Sequence, residues 1–149
     1  MFKEAVPKGE YLIPLQKARV ARSGEDISVF CYGLMVHYAM EAARNLEKDG
    51  WSVEVVDLRT VYPLDREAIL ASARKTGKCL VLYEDNFSVS VGSEVAAIIA
   101  DDGWRWLDAP VKRLGGLDVP AIPYAQPMED YFMPNPEKVT AALRELAAF

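Results

Sequence analysis

The sequence predicts an α/β domain: a mostly parallel sheet with helices on both faces and an antiparallel leading strand at one edge. Three observations carry this. Short apolar runs alternate with helical periodicities through the middle of the chain, in the order β-β-α-β-α-β-α-β-α. The runs at 27–32 and 78–84 are apolar along most of their length, as strands covered on both faces are. Finally, 149 residues, 51% of them hydrophobic, let one domain bury a core without staples.

Each element has a local reason. Residues 1–16 read as an extended lead-in and interdomain connection, because Pro7, Gly9 and Pro14 forbid a regular helix. The domain proper is 17–149. Residues 18–22 and 27–32 read as two strands joined by a tight turn at Ser23-Gly24-Glu25-Asp26. After Gly33 a helix runs over 34–49 on a stripe of Leu34, Met35, Tyr38, Ala39, Ala42 and Leu46, and Gly50 ends it. Residues 51–58 alternate as a strand. Asp65 caps a helix reaching residue 75, and Gly77 stops it. The run 78–84 is a central strand. A loop at 86–90 leads to a helix marked by Val91, Val95, Ile98 and Ile99 and closed by Gly103. Residues 111–114 form a short strand. The segment 115–136, with Pro120, Pro123, Pro127, Pro134 and Pro136, is expected to wrap irregularly over the surface. Asn135 caps the last helix, with Pro136 at its first position and Val139, Leu143 and Leu146 on its buried face.

Composition excludes several classes. Lys and Arg number 17 against 22 Asp and Glu, a net charge of −5. That lacks the footprint of nucleic-acid binding and any polybasic segment for anionic membranes. No apolar run approaches the ~18 residues of a membrane span. Two cysteines without a CxxC fit a reducing compartment, and no targeting segment is visible, so a bacterial cytoplasm is expected.

In such a sheet, ligands bind where the strands' carboxyl ends open into loops. Those loops carry Gly33, Asp57-Leu58-Arg59-Thr60 and Glu84-Asp85-Asn86. An enzyme would use Asp57, Glu84 or Asp85 as acid or base and Arg59 as an anion clamp. No nucleophile–base pair stands beside them, so the preferred reading is that Asp57 and Arg59 pair or cap backbone. There is no GxGxxG and no GxxxxGK[ST]. Gly115-Gly116 reads as a turn. His37, the one histidine, reads as a partly buried structural residue, and Cys31 and Cys79 as small core hydrophobes. Trp104, Trp106, Tyr131, Phe132 and Phe149 are core candidates singly and an interface as a group.

The stretches Tyr11-Leu12-Ile13-Pro14-Leu15, Tyr32-Gly33-x-Met35-Val36 and Asp57-Leu58-Arg59-Thr60-x-Tyr62-Pro63-Leu64-Asp65 resemble the C-terminal domain of transketolase-like thiamine-diphosphate enzymes. Leu107-Asp108-Ala109-Pro110-Val111-x-Arg113, Asp118-Val119-Pro120 and Pro123-Tyr124-Ala125 narrow the resemblance. It is to the beta subunit of the E1 component of 2-oxo acid dehydrogenase complexes, of pyruvate, branched-chain or acetoin type. The resemblance spans nearly the whole chain. It implies a three-layer α/β/α unit with a five-stranded mixed sheet. It also implies a full enzyme that decarboxylates a 2-oxo acid, pyruvate first, on thiamine diphosphate with Mg and acylates the lipoyl arm of E2.

The GDG and Asn-rich thiamine-binding pattern is absent from these residues. The chain is therefore expected to bind no cofactor or metal, hold no catalytic residue and serve assembly. Its implied partners are an E1 alpha subunit, a second beta copy and the peripheral subunit-binding domain of E2. Two other readings stand beside this one: the same domain of another transketolase-like enzyme, and a free-standing flavodoxin-like binding or regulatory domain. Three places depart from the pattern the resemblance implies: Gln16, where relatives commonly carry glycine, Ser88-Val89-Ser90, in place of a Gly-rich stretch, and the variable Tyr83.

The E2 domain implied by the resemblance is small and basic. Residues 118–137 hold Asp118, Glu129, Asp130 and Glu137 and no Lys or Arg. With Phe149 at the end of the chain, this surface is the expected docking site, with Asp118 and Phe149 as first contacts and Glu129 and Asp130 beside them.

Overall fold

The computed structural model describes residues 5–149. Its centre is β2 (Ile27–Cys31), every residue of which is buried. Only a strand apolar on both faces can take neighbours on both sides under two helical layers. Those neighbours are β3 (Val53–Asp57) and β4 (Cys79–Asn86), both parallel to it. Beyond β4 lies β5 (Lys112–Gly116), also parallel, and beyond β3 lies β1 (Arg19–Arg22), antiparallel. The order is β1-β3-β2-β4-β5. β1 takes the edge predicted for it, but the Ser23–Asp26 turn makes no hairpin. β3 lies between β1 and β2, parallel to β2 and antiparallel to β1.

The side chains alternate between two cores. On one face Ile27, Val29, Val55, Leu80 and Leu82 meet α1 (Leu34–Lys48) and α5 (Pro136–Ala147). On the other, Phe30, Val56, Val81 and Tyr83 meet α2 (Arg66–Thr76) and α3 (Val91–Asp102). This is the three-layer α/β/α arrangement the sequence predicted. The predicted stops hold. The Asp65 side chain accepts from Ala68 N at 3.2 Å, Gly77 closes α2 in the left-handed region, and Asn135 accepts from Lys138 N at 2.8 Å. Cys31 and Cys79 are buried, as expected, and burial pushes both thiols up, Cys79 to about 12.

Four readings need correction. Residues 115–136 are not wholly irregular: α4 (Gln126–Phe132) starts with a proline in its first turn, where proline's fixed φ suits a helix. Gly115 and Gly116 are not a turn but the end of β5. A Cβ on Gly115 would meet the Tyr83 ring, and one on Gly116 would stand 2.6 Å from Phe132. Glycine is there for close approach within a strand. His37 is exposed rather than partly buried. It shares the outer face of α1 with Glu41, Arg44 and Lys48, four, seven and eleven residues on. The helical stretch after α3 also continues as a 3-10 turn, Trp104–Trp106. Among the described residues no helix is long and apolar enough to cross a membrane.

Candidate interaction surface at the carboxyl edge of the sheet

The loop from β4 to α3 is fixed from several sides. The Tyr83 hydroxyl, on a fully buried ring, donates to Phe87 O at 3.0 Å. Arg113 of β5 donates to Phe87 O at 3.1 Å and to Ser93 Oγ at 2.8 Å, and its Cζ lies 4.0 Å from the Phe87 ring centroid. Ser88 donates from N and Oγ to Asp118, at 2.9 and 2.7 Å. Ser90 caps α3 by accepting from Ser93 N at 3.2 Å. These bonds hold Val89 at φ 53 with its side chain fully exposed (100%). A β-branched residue is an outlier there, and such strain costs about 1–3 kcal/mol. The Ser88 bonds also hold the Asp118 carboxyl below the usual range.

The loop from β3 to α2 is built on Asp57. Its Oδ1 accepts from Arg59 N at 3.1 Å, and its Oδ2 lies 3.5 Å from Arg19 Nη2. The pairing-and-capping reading of Asp57 is what the geometry shows. Arg59 sits at φ 55, and its guanidinium meets no acid among the described residues. Gln16, at φ 62, donates from N to Thr60 Oγ1 at 3.2 Å, and Ala18 N donates to Asp65 at 3.0 Å. The lead-in is thus bonded to the loop.

Acids dominate the rest of this edge. Glu84 and Asp85 are exposed. Tyr32 is pushed up by burial and then by Asp85 and Glu84. In α4, Asp130 is exposed and Glu129 half-buried, with Asp130 accepting from Gln126 Nε2 at 2.8 Å. Lys138 does not neutralise them: its Nζ donates to the carbonyls of Asp130, Tyr131 and Met133 at 3.0, 2.8 and 2.6 Å. Exposed Ile122, Tyr124, Met128 and Tyr131 stand among these acids.

Phe149 does not join them. α5 runs back across the sheet, and Lys78 Nζ, at the start of β4, donates to Ala147 O at 3.3 Å. Asp118 follows the far end of β5. The seven residue steps of β4, at ~3.3 Å each, put the two ends on the order of 20 Å apart. Trp104 and Trp106 lie at the Phe149 end and Tyr131 at the Asp118 end, while Phe132 is buried. The aromatic group is therefore two exposed sets and one core residue. Sequence reasoning missed the Arg113–Phe87–Ser88 brace and the three left-handed residues. Gln16 and Val89 carried a signal: the resemblance drawn from the sequence marked position 16 and the stretch 88–90 as departures.

The model of the transketolase C-terminal domain family matches residues 16–139. The chain belongs to that family. This transketolase C-terminal domain is 58% identical over all 149 residues to the 2-oxoisovalerate dehydrogenase subunit beta of Bacillus subtilis, covering 46% of it. It is 41% identical over 148 residues, 99% of the chain, to the pyruvate dehydrogenase E1 component subunit beta of Staphylococcus aureus, covering 45%. Among solved structures it matches a split-gene transketolase in an inactive β4 tetramer with a TM-score of 0.76 and 27% identity, over 90% of this chain and 43% of that one. The chain spans about half the length of the curated relatives it matches.

Proposed function

We propose that this domain is the C-terminal part of the beta subunit of a 2-oxo acid dehydrogenase E1 acting on a branched-chain 2-oxo acid. The observation that carries the reading is the 58% identity to a 2-oxoisovalerate dehydrogenase subunit, against 41% for a pyruvate-dehydrogenase one. It moves the substrate away from pyruvate, which the motifs alone put first. In the full enzyme, thiamine diphosphate with Mg supplies the decarboxylation chemistry. We read this domain as holding neither: among the described residues no group of three His, Cys, Asp or Glu side chains stands together to hold a metal ion. The domain's role is assembly, with an E1 alpha subunit, a second beta copy and E2 as partners.

Docking of a basic E2 domain is supported by the acids of the carboxyl edge, Asp118, Glu129 and Asp130, beside exposed Tyr124 and Tyr131. Phe149, 71% exposed, is at the other end of the same protomer. Reconstitution tests the reading: this chain, the missing first part of the beta subunit and an alpha subunit are combined and assayed. We expect a higher kcat/KM for 2-oxoisovalerate than for pyruvate, and no saturable thiamine diphosphate binding by this chain alone. A pyruvate preference overturns the substrate, and saturable cofactor binding overturns the assembly role.

A further inference from the structure

The lead-in and the β3–α2 loop border an open concavity of about 480 Å³, within the ~300–1,000 Å³ of small-molecule sites. Val6, Tyr11, Leu12 and Ile13 form an apolar wall, and Arg19 and Arg59 stand in the same lining. One carboxylate, Asp57, serves both arginines. It meets Arg19 through a single contact at 3.5 Å, and it meets Arg59 only at the backbone N. The Arg59 guanidinium has no acid among the described residues, so the lining carries a surplus positive charge beside apolar surface. The backbone points the same way. Arg59 and Gln16 both occupy the left-handed region, and the Gln16 N–Thr60 Oγ1 bond joins their segments. Strain held by surrounding bonds in this way is a mark of ligand clamps.

We infer that this concavity binds a small aliphatic carboxylate, with Arg59 clamping the anion, Arg19 as the second cation and the lead-in covering the alkyl tail. The planar guanidinium matches a carboxylate edge with two parallel N–H donors. Inorganic phosphate would satisfy the charge but leave Val6, Leu12 and Ile13 without a partner. The lining residues named here all belong to this chain, so a titration of the chain alone reads this site separately from the assembly role.

The test is a titration of the 149-residue chain with 3-methylbutanoate, read by amide shifts of Gln16, Arg59 and Thr60. Its uncharged isostere 3-methylbutanamide and inorganic phosphate are titrated in parallel. Saturable shifts are expected with the carboxylate alone. Arg59→Gln should weaken binding at least tenfold and Arg19→Gln about threefold, with far-UV circular dichroism unchanged because the Arg59 side chain makes no bond to another described residue. Equal affinity in Arg59→Gln overturns the clamp. Equal binding of the amide reduces the site to an apolar groove, and equal binding of phosphate to a bare charge; either result overturns the assignment. Shifts that follow protein concentration without ligand assign the concavity to a second copy and overturn it too.

Discussion

The two ends of the sheet solve the same backbone problem differently. At the amino edge the left-handed positions are Gly50 and Gly77. Charges there are matched: Glu54, 2% exposed, accepts from Lys75 Nζ at 2.6 Å, and Asp49 accepts from Arg144 at 2.8 Å. The aromatics carry cations, Arg74 over Trp106 and Lys78 over Trp51. At the carboxyl edge Gly33, and Gly9 in the lead-in, are the positive-φ glycines, while Gln16, Arg59 and Val89 hold side chains in that conformation. Its acids face solvent. Glycine removes the steric cost of positive φ, so the fold alone would place glycine at all these points. A side chain kept there at about 1–3 kcal/mol is kept for what it presents. The amino edge is built for closure and the carboxyl edge for contact.

Perturbing each edge tests this contrast. The largest effect is expected at the amino edge. Lys75→Met leaves the Glu54 carboxylate buried and unpaired, which should lower stability by about 3 kcal/mol in urea unfolding. A loss within error would mean that Glu54 finds water and the edge is not closed. Next, Gly77→Ala forces a Cβ into the left-handed region and against the Asp108 carboxylate, and should cost about 1–2 kcal/mol.

At the carboxyl edge the sign reverses. Val89→Gly should raise stability by about 0.5–1 kcal/mol, since relief of the β-branched strain exceeds the entropy cost of glycine. Co-sedimentation with partner subunits should weaken in the same variant. A destabilised Val89→Gly would remove the case that strain is stored there. The smallest effect is the acid titration of the Asp118–Ser88 clasp. The folded carboxyl titrates below its ordinary 3.8, so the clasp is fully present above that value and is lost as pH falls through the folded value. Amide exchange at Ser88 should accelerate over that window, and Asp118→Asn should abolish the dependence.

Much of this molecule was legible because its stops are chemical. Asp65 and Asn135 cap helices by side-chain acceptance, as read from the sequence, and Gly77 takes the conformation its position demands. Pairing was less legible. Nothing in residues 19–31 says that β3, some thirty residues on, will enter between β1 and β2. Gly115 was misread because its reason lies on another strand, in the Tyr83 ring. His37 was open to better reading: its helical spacing to Glu41, Arg44 and Lys48 marks the solvent face. At the candidate surface, charge count pointed to Asp118 and Asp130 as candidates but could not see that α5 carries Phe149 to the opposite end. The Ser88 and Arg113 contacts join residues 20 to 30 positions apart, a separation no local pattern encodes.

The antiparallel strand β1 also governs how the domain behaves in a crowded solution. It closes the flank of β3, whose Val53, Val55 and Val56 are buried. β1 itself offers Arg19 and Arg22 and breaks register between Val20 and Arg22, so it is a poor template for a further strand. Removing residues 5–22 would uncover the unpaired, proline-free edge of β3, with Val53, Val55 and Val56 along it, ready to pair with its like in another molecule. Four residues that contribute little to the core therefore keep the sheet from extending into aggregates.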